Sequence, residues 1–223
     1  MEKITPCLWF DNNAEEAVNF YTSIFKNSKI GNISRYGEAG YEIHGKPAGT
    51  VMTIEFELNG HAFTALNGGP VFKFNEAISF QVGCESQEEV DYYWGKLSEG
   101  GDKKAQQCGW LKDKHGVSWQ IVPTVLGKLL QDKDAKKSES VMKALLQMKK
   151  LDIKTLTQAY EQGWKCSRSK AQSLWGETNY FKADQKGLRG KAHKSPRAEA
   201  TLQYADAKRA ECNETYGPFL AAC

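Results

Sequence analysis

The chain has 223 residues, of which 40% are hydrophobic and 26% are charged, a composition that excludes fibrous and disordered classes. No apolar run approaches the roughly 18–20 residues of a membrane span, and no export signal is evident, so we expect a cytoplasmic protein without membrane contact. The net charge of +3 is uneven, because residues 163–223 hold 11 Lys/Arg against 6 Asp/Glu. The remaining residues hold 19 against 21, which gives no electrostatic reason to expect a nucleic-acid partner.

The six cysteines are scattered and include no CxxC pair, a pattern that favours reduced thiols over a zinc site or a disulfide framework.

The first part of the chain predicts one strand, one helix and three further strands. Asn13 is the expected N-cap of the helix, with Glu16 three residues later in the capping-box position. The Asn59-Gly60 pair predicts a two-residue hairpin. The predicted strands are Thr5–Phe10, Lys29–Arg35, Val51–Leu58 and His61–Asn67, with a loop over Tyr36–Gly49.

The same pattern then repeats. Ser86 and Glu89 form a second capping-box sequence, 73 residues after Asn13, and Gly100-Gly101 ends the second helix. The predicted strands of this part are Ala77–Val82, Lys104–Leu111 and Ser118–Val122, with a turn over Asp113–Gly116 before the last of them. We therefore predict an α+β fold built from two copies of one module, 2–68 and 76–124, within a domain that covers 2–125.

Amphipathic helices are predicted to follow over 126–160, with Val141, Leu145, Leu151 and Leu156 among their apolar positions. Their apolar face must cover either the domain itself or a second subunit. Residues 163–223 lose this periodicity and are predicted to form a basic, weakly ordered tail.

Several stretches resemble PhnB-like proteins, the 3-demethylubiquinone-9 3-methyltransferase-type branch of the vicinal oxygen chelate (glyoxalase, bleomycin resistance and dioxygenase) superfamily. They are Thr5–Phe10, Ala14–Ala17, Ala77–Phe80, Cys108–Asp113 and Gly116–Pro123, within about residues 4–160. The resemblance implies two βαβββ modules whose curved sheets form a glyoxalase-like cleft, and it implies a homodimer.

Catalytic relatives bind a divalent metal in that cleft, and the resemblance places the four ligand positions on Pro6, Ala77, Gln120 and near Phe63. Proline and alanine offer no side-chain ligand, and an amide is a weak one. We therefore expect a degraded metal site and no cofactor, with a divalent metal as an alternative that these positions do not support.

Strand alternation then selects the residues that would line a ligand-binding cleft. In the second module it selects Ser79, Gln81 and Gln120, and Trp110 is a candidate for the mouth. In the first module we assign Glu55, His61 and Asn67 to the cleft, although carboxylates that alternate along a strand more often belong to a solvated face.

The leading hypothesis is a small-molecule-binding or weakly catalytic homodimer. One alternative is a metal-dependent lyase, isomerase or dioxygenase that uses a shifted ligand set of Glu55, Glu57 and His61. The other is a ligand-sequestering protein of the resistance type. Whether the chain is an enzyme stays open at this point, and no catalytic residue is assigned.

Overall fold

The computed structural model describes residues 4–163, so the predicted tail lies outside the described residues apart from Gly163. The elements in chain order are β1 (Cys7–Phe10), α1 (Ala14–Ile24), β2 (Lys29–Arg35), α2 (Tyr41–His44), β3 (Val51–Leu58), β4 (His61–Asn67), β5 (Phe80–Cys84), α3 (Gln87–Ser98), β6 (Asp102–Gln107), β7 (Trp110–Lys112), β8 (Ser118–Pro123), α4 (Val125–Leu130) and α5 (Ala135–Leu145). Residues 153–163 are also helical.

Two four-stranded sheets confirm the predicted duplication. The strand orders are β1-β4-β3-β2 and β5-β8-β7-β6, so the first strand of each module pairs in parallel with its last. A sheet built this way, with one long helix per module, is the α+β architecture that the sequence predicted. None of the helices in residues 4–163 has the length and apolarity needed to cross a bilayer.

Local turn chemistry explains why some element boundaries were predicted well. Asn59 and Gly60 both have positive φ, as a two-residue hairpin requires, and β3 and β4 start and end where predicted. The Ser86 hydroxyl accepts a hydrogen bond from the Glu89 backbone N–H at 3.3 Å, which confirms the N-cap of α3.

Other local predictions were wrong in part. Asn13 is the N-cap residue of α1, as predicted, but its side chain accepts no capping hydrogen bond, because Asn67 Oδ1 accepts the Ala14 N–H at 2.9 Å instead. The strand predicted over 104–111 is two strands, since Cys108 and Gly109 have positive φ and form a hairpin turn.

Three further boundaries differ from the prediction. The strand predicted from Ala77 begins at Phe80, because the Ala77 N–H donates to Asn75 Oδ1 in a local turn. The strand predicted from Thr5 begins at Cys7, and the loop predicted over 36–49 contains the short helix α2.

A buried carboxylate joins the two modules. Asp113 is 3% exposed and accepts hydrogen bonds from Tyr21 Oη at 2.9 Å and from Trp119 Nε1 at 2.8 Å. The backbone N–H groups of His115 and Val117 donate to its other oxygen. Because Tyr21 belongs to α1 and the other partners to the second module, one side chain secures both.

The C-terminal helices pack on the domain itself. Val141, Leu145, Leu151 and Leu156 are buried in one cluster, against which Trp110 and Val122 of the second sheet are packed. The apolar face predicted to need a cover is therefore satisfied within the chain.

Candidate functional site

The first sheet carries its charged side chains on the face opposite its helix. In the β3–β4 register Glu55 pairs with Thr64 and Glu57 with Ala62, so these four side chains share one face. This face borders a groove of about 450 Å³ whose lining residues all belong to the first module. The groove is open, and its lining mixes polar and apolar groups.

Two neighbours on β2 hold the carboxylates of this groove. Lys29 Nζ lies 3.0 Å from Glu57 Oε1, and Asn32 Nδ2 donates to Glu55 Oε2 at 2.9 Å. The sequence did not single out Lys29 or Asn32. Lys29 lies directly opposite Glu57 in the register of β2 and β3, whereas Asn32 lies within a β-bulge between Ile30 and Ile33, which alternation does not predict.

His61 and Asn67 do not lie on the Glu55 face, and their assignment to it was wrong. The two-residue hairpin pairs His61 with Leu58, so both side chains share the opposite, helix-facing side. Asn67 is 2% exposed, and its Nδ2 donates to Val51 O at 3.1 Å. His61 therefore cannot complete a ligand set with Glu55 and Glu57 within one chain.

The positions that the resemblance assigns to a metal do not fit one. Phe63 faces the helix side, where its ring stacks on Phe56, and its outward neighbours Ala62 and Thr64 carry no carboxylate. Across residues 4–163, no three His, Cys, Asp or Glu side chains are grouped closely enough to share a metal ion.

The second sheet carries a chain of polar side chains on the face opposite its helix. Gln81 and Gln120 pair directly across β5 and β8, and Gln81 Nε2 donates to Gln120 Oε1 at 3.1 Å. Gln120 Nε2 donates in turn to Ser79 Oγ at 2.8 Å. We call these three residues the amide array; the structure brings them together as the sequence placed them.

The amide array has a direction. With the amide orientations above, its Gln81 end presents a carbonyl oxygen and its Ser79 end presents a hydroxyl hydrogen. Within residues 4–163 neither group has a further hydrogen-bond partner. The array can therefore bind a molecule that offers both a donor and an acceptor.

Trp110 lies on the same face, paired with Gln120 across β7 and β8. Its side chain is partly buried and packs against the cluster formed by the C-terminal helices, so Trp110 lies between these helices and Gln120. The hydrogen bonds of the described residues do not connect the array to Glu55, whose side-chain partner is Asn32.

The chain is similar to proteins of one family. The model of the family described as 3-demethylubiquinone-9 3-methyltransferase matches residues 2–122. A PhnB protein from Bacillus cereus, named as a 3-demethylubiquinone-9 3-methyltransferase, is 41% identical, with 55% of this chain and all of that one covered and a TM-score of 0.47.

Two other solved structures are also similar to the chain. A protein from Staphylococcus aureus is 30% identical, with 54% of this chain and 95% of that one covered and a TM-score of 0.25. The fosfomycin resistance protein FosX from Listeria monocytogenes is 17% identical, with 59% and 98% covered and a TM-score of 0.40. No curated protein matches the chain at a significant level.

Proposed function

The chain belongs to the 3-demethylubiquinone-9 3-methyltransferase family, and we propose that it is a PhnB-like protein that binds a small polar molecule on the amide array. The observation that carries the proposal is the pair of free ends of the array, a carbonyl oxygen at Gln81 and a hydroxyl at Ser79. Neutral amides and hydroxyls favour an uncharged ligand with one donor and one acceptor over an ion.

Methyl transfer is not the activity we propose. A methyl-donor site of the usual kind needs a Gly-rich loop after the first strand of a parallel sheet. Here β1 leads into Asp11-Asn12-Asn13, and both sheets in the described part of the chain are mixed. The side chains present support binding of a ligand better than they support that chemistry.

A homodimer is the assembly we propose. The Glu55 groove is lined by the first module alone, and the amide array belongs to the second. A second copy can supply the missing wall by placing its Glu55 face over the array of the first. Each dimer would then hold two equivalent sites, each with residues from both copies.

Thermal-shift screening of the full-length chain against uncharged amides, sugars and hydroxylated aromatics tests the proposal. A hit should bind about 5–10-fold more weakly to Gln81→Ala, which removes one hydrogen-bonding group. The matched control is Gln106→Ala, a glutamine on the edge strand β6. Equal binding to both variants contradicts the proposal.

Mixing two single variants tests the shared site. If Glu55 and Gln120 come from different copies, each mixed dimer of Glu55→Ala and Gln120→Ala regains one intact site of two. Random subunit exchange makes about half of the dimers mixed, so about a quarter of the hit's binding capacity returns. If binding is not restored after the two variants have exchanged subunits, the shared site is contradicted. Metal analysis completes the test, since a stoichiometric divalent ion lost on Glu55→Ala would favour the metal-dependent enzyme instead.

A further inference from the structure

A second cavity, separate from the amide array, lies where the two modules meet. It measures about 420 Å³ and is bordered by β1, by the linker that leads to β5 and by the start of β8. Its walls are mainly apolar and include Leu8, Phe74, Phe80 and Val117. A cavity of this volume accommodates a small organic molecule.

One residue that borders the cavity carries a buried polar atom without a hydrogen-bond partner. Ser118 is 2% exposed, and its Oγ forms no hydrogen bond within residues 4–163. Ser118 and His115 carry the only such side-chain atoms in the described part of the chain. Buried polar groups are nearly always satisfied, so an orphan hydroxyl in the wall of a cavity points to an occupant that bonds it.

The mouth of the cavity adds donors and a positive charge. Lys73 is exposed there and belongs to none of the ion pairs found among residues 4–163, whereas the neighbouring Lys112 is paired with Glu76. Asn75 Oδ1 accepts the Ala77 N–H, which leaves its amide hydrogens free. The mouth therefore complements an anion with acceptor oxygens, such as a carboxylate.

We propose that this cavity binds a small apolar carboxylic acid that carries an oxygen at the end opposite its carboxylate. The carboxylate lies at Lys73, the apolar body fills the space between Leu8 and Phe80, and the distal oxygen bonds the Ser118 hydroxyl. The site goes beyond the proposed function, because neither Gln81 nor Gln120 borders the cavity.

Three probes of similar size separate these contacts. 4-Hydroxyphenylacetate has both polar ends, phenylacetate lacks the distal oxygen, and 2-(4-hydroxyphenyl)ethanol lacks the carboxylate. In calorimetric titrations of the full-length chain we expect the first to bind most tightly. Each of the other two should bind about 5–10-fold more weakly, the size of one hydrogen bond or ion pair in a partly wet site.

Two variants assign each difference to its residue. Ser118→Ala should abolish the preference for 4-hydroxyphenylacetate over phenylacetate, and Lys73→Met should abolish the preference for the acid over the alcohol. The controls Ser138→Ala, at a half-buried position, and Lys103→Met, at an exposed one, lie outside the cavity lining and should retain both preferences. Removing an unbonded buried hydroxyl leaves the melting temperature unchanged or higher, so Ser118→Ala remains folded.

Three results would overturn this site: binding of none of the probes at millimolar concentration, equal affinity for all three, or preferences that survive Ser118→Ala and Lys73→Met. The first result would mean that the cavity holds only water, and the other two would mean that the probes bind without the Ser118 and Lys73 contacts. Gln81→Ala should leave binding of these probes unaltered, so this site and the amide array can fail independently of each other.

Discussion

Tyr21 Oη donates a 2.9 Å hydrogen bond to Asp113 Oδ2, across 92 positions of the chain and between the two modules. Both residues are buried, and the pKa of Tyr21 lies well above its usual value because of burial first and the Asp113 charge second. The hydroxyl therefore stays protonated and remains a donor at physiological pH.

Tyr21→Phe should destabilise the protein by about 1.5–3 kcal/mol, because a buried carboxylate loses one of its donors. Urea denaturation followed by tryptophan fluorescence measures the change. Tyr41→Phe is the control, since Tyr41 is 56% exposed and should alter stability by less than about 0.5 kcal/mol. Equal effects of the two variants would show that the Asp113 bond is unimportant.

His115 makes a pH-dependent contribution to the stability of the contact between the two modules. Its side chain is 2% exposed and contacts the rings of Phe10, Phe20 and Tyr21, while Asn13 Nδ2 lies 3.2 Å from Nδ1. Burial lowers the pKa of His115, with a smaller lowering by Lys114. The Asp113 and Glu16 charges oppose this effect without cancelling it.

A histidine whose pKa is lower in the folded state is protonated more readily in the unfolded chain. Its contribution to the free energy of unfolding is constant above the pKa of the unfolded state, near 6.5. Stability falls as the pH decreases from there towards the pKa of the folded state. The free energy of unfolding should therefore fall more steeply between pH 7.5 and pH 5 in the unaltered protein than in His115→Gln. His61→Gln, at an exposed position, should keep the steeper slope. Parallel slopes for all three proteins would exclude this role of His115.

Asn67 should act on stability and not on ligand binding. Its side chain accepts from the Ala14 N–H and donates to Val51 O, so Asn67→Ala leaves two buried backbone groups without partners. We expect a loss of about 2–4 kcal/mol in chemical denaturation, against less than about 0.5 kcal/mol for His61→Ala. A variant that keeps its stability but loses affinity for a thermal-shift hit would instead return Asn67 to the ligand site.

The outcome at Asn67 shows what the sequence could and could not predict. The Asn59-Gly60 turn is encoded locally, and it predicted both flanking strands. The same turn also determines that His61 shares a face with Leu58, so this error could have been avoided by counting across the hairpin. The amide array followed from alternation alone, because Gln81 and Gln120 are direct partners on adjacent strands.

Other features depend on contacts between distant segments, which alternation cannot reveal. The sequence identified the turn that begins at Asp113 but gave no sign that its carboxylate meets Tyr21. Alternation puts Ser118 on the face of Gln120, two residues later, yet the burial of Ser118 depends on where the linker between the modules runs. The turn at Cys108-Gly109 carries no Asn-Gly sequence. It is held instead by carbonyl groups of the C-terminal segment, which accept hydrogen bonds from the backbone N–H groups of both residues.

Gly109 and Gly127 form a matched pair that tests how the C-terminal segment is held. Gly109 has a φ of +86°, and a Cβ there would lie 2.9 Å from Ile121 O and 3.1 Å from Leu151 Cδ1. Gly127 lies within α4, where a Cβ would meet nothing within 4 Å. The same substitution should therefore have opposite effects at the two positions.

Gly109→Ala should destabilise the protein by about 2–4 kcal/mol, because the cost of the strained backbone and the cost of the steric overlap with Leu151 are combined. Gly127→Ala should stabilise it by about 0.5–1 kcal/mol, because alanine is the better helix former and lowers the entropy of the unfolded chain. Thermal and urea denaturation of both variants measure the difference. If Gly109→Ala were as stable as the unaltered protein, the close approach of Leu151 to this hairpin, and with it the docking of the C-terminal helices on the second sheet, would be disproved.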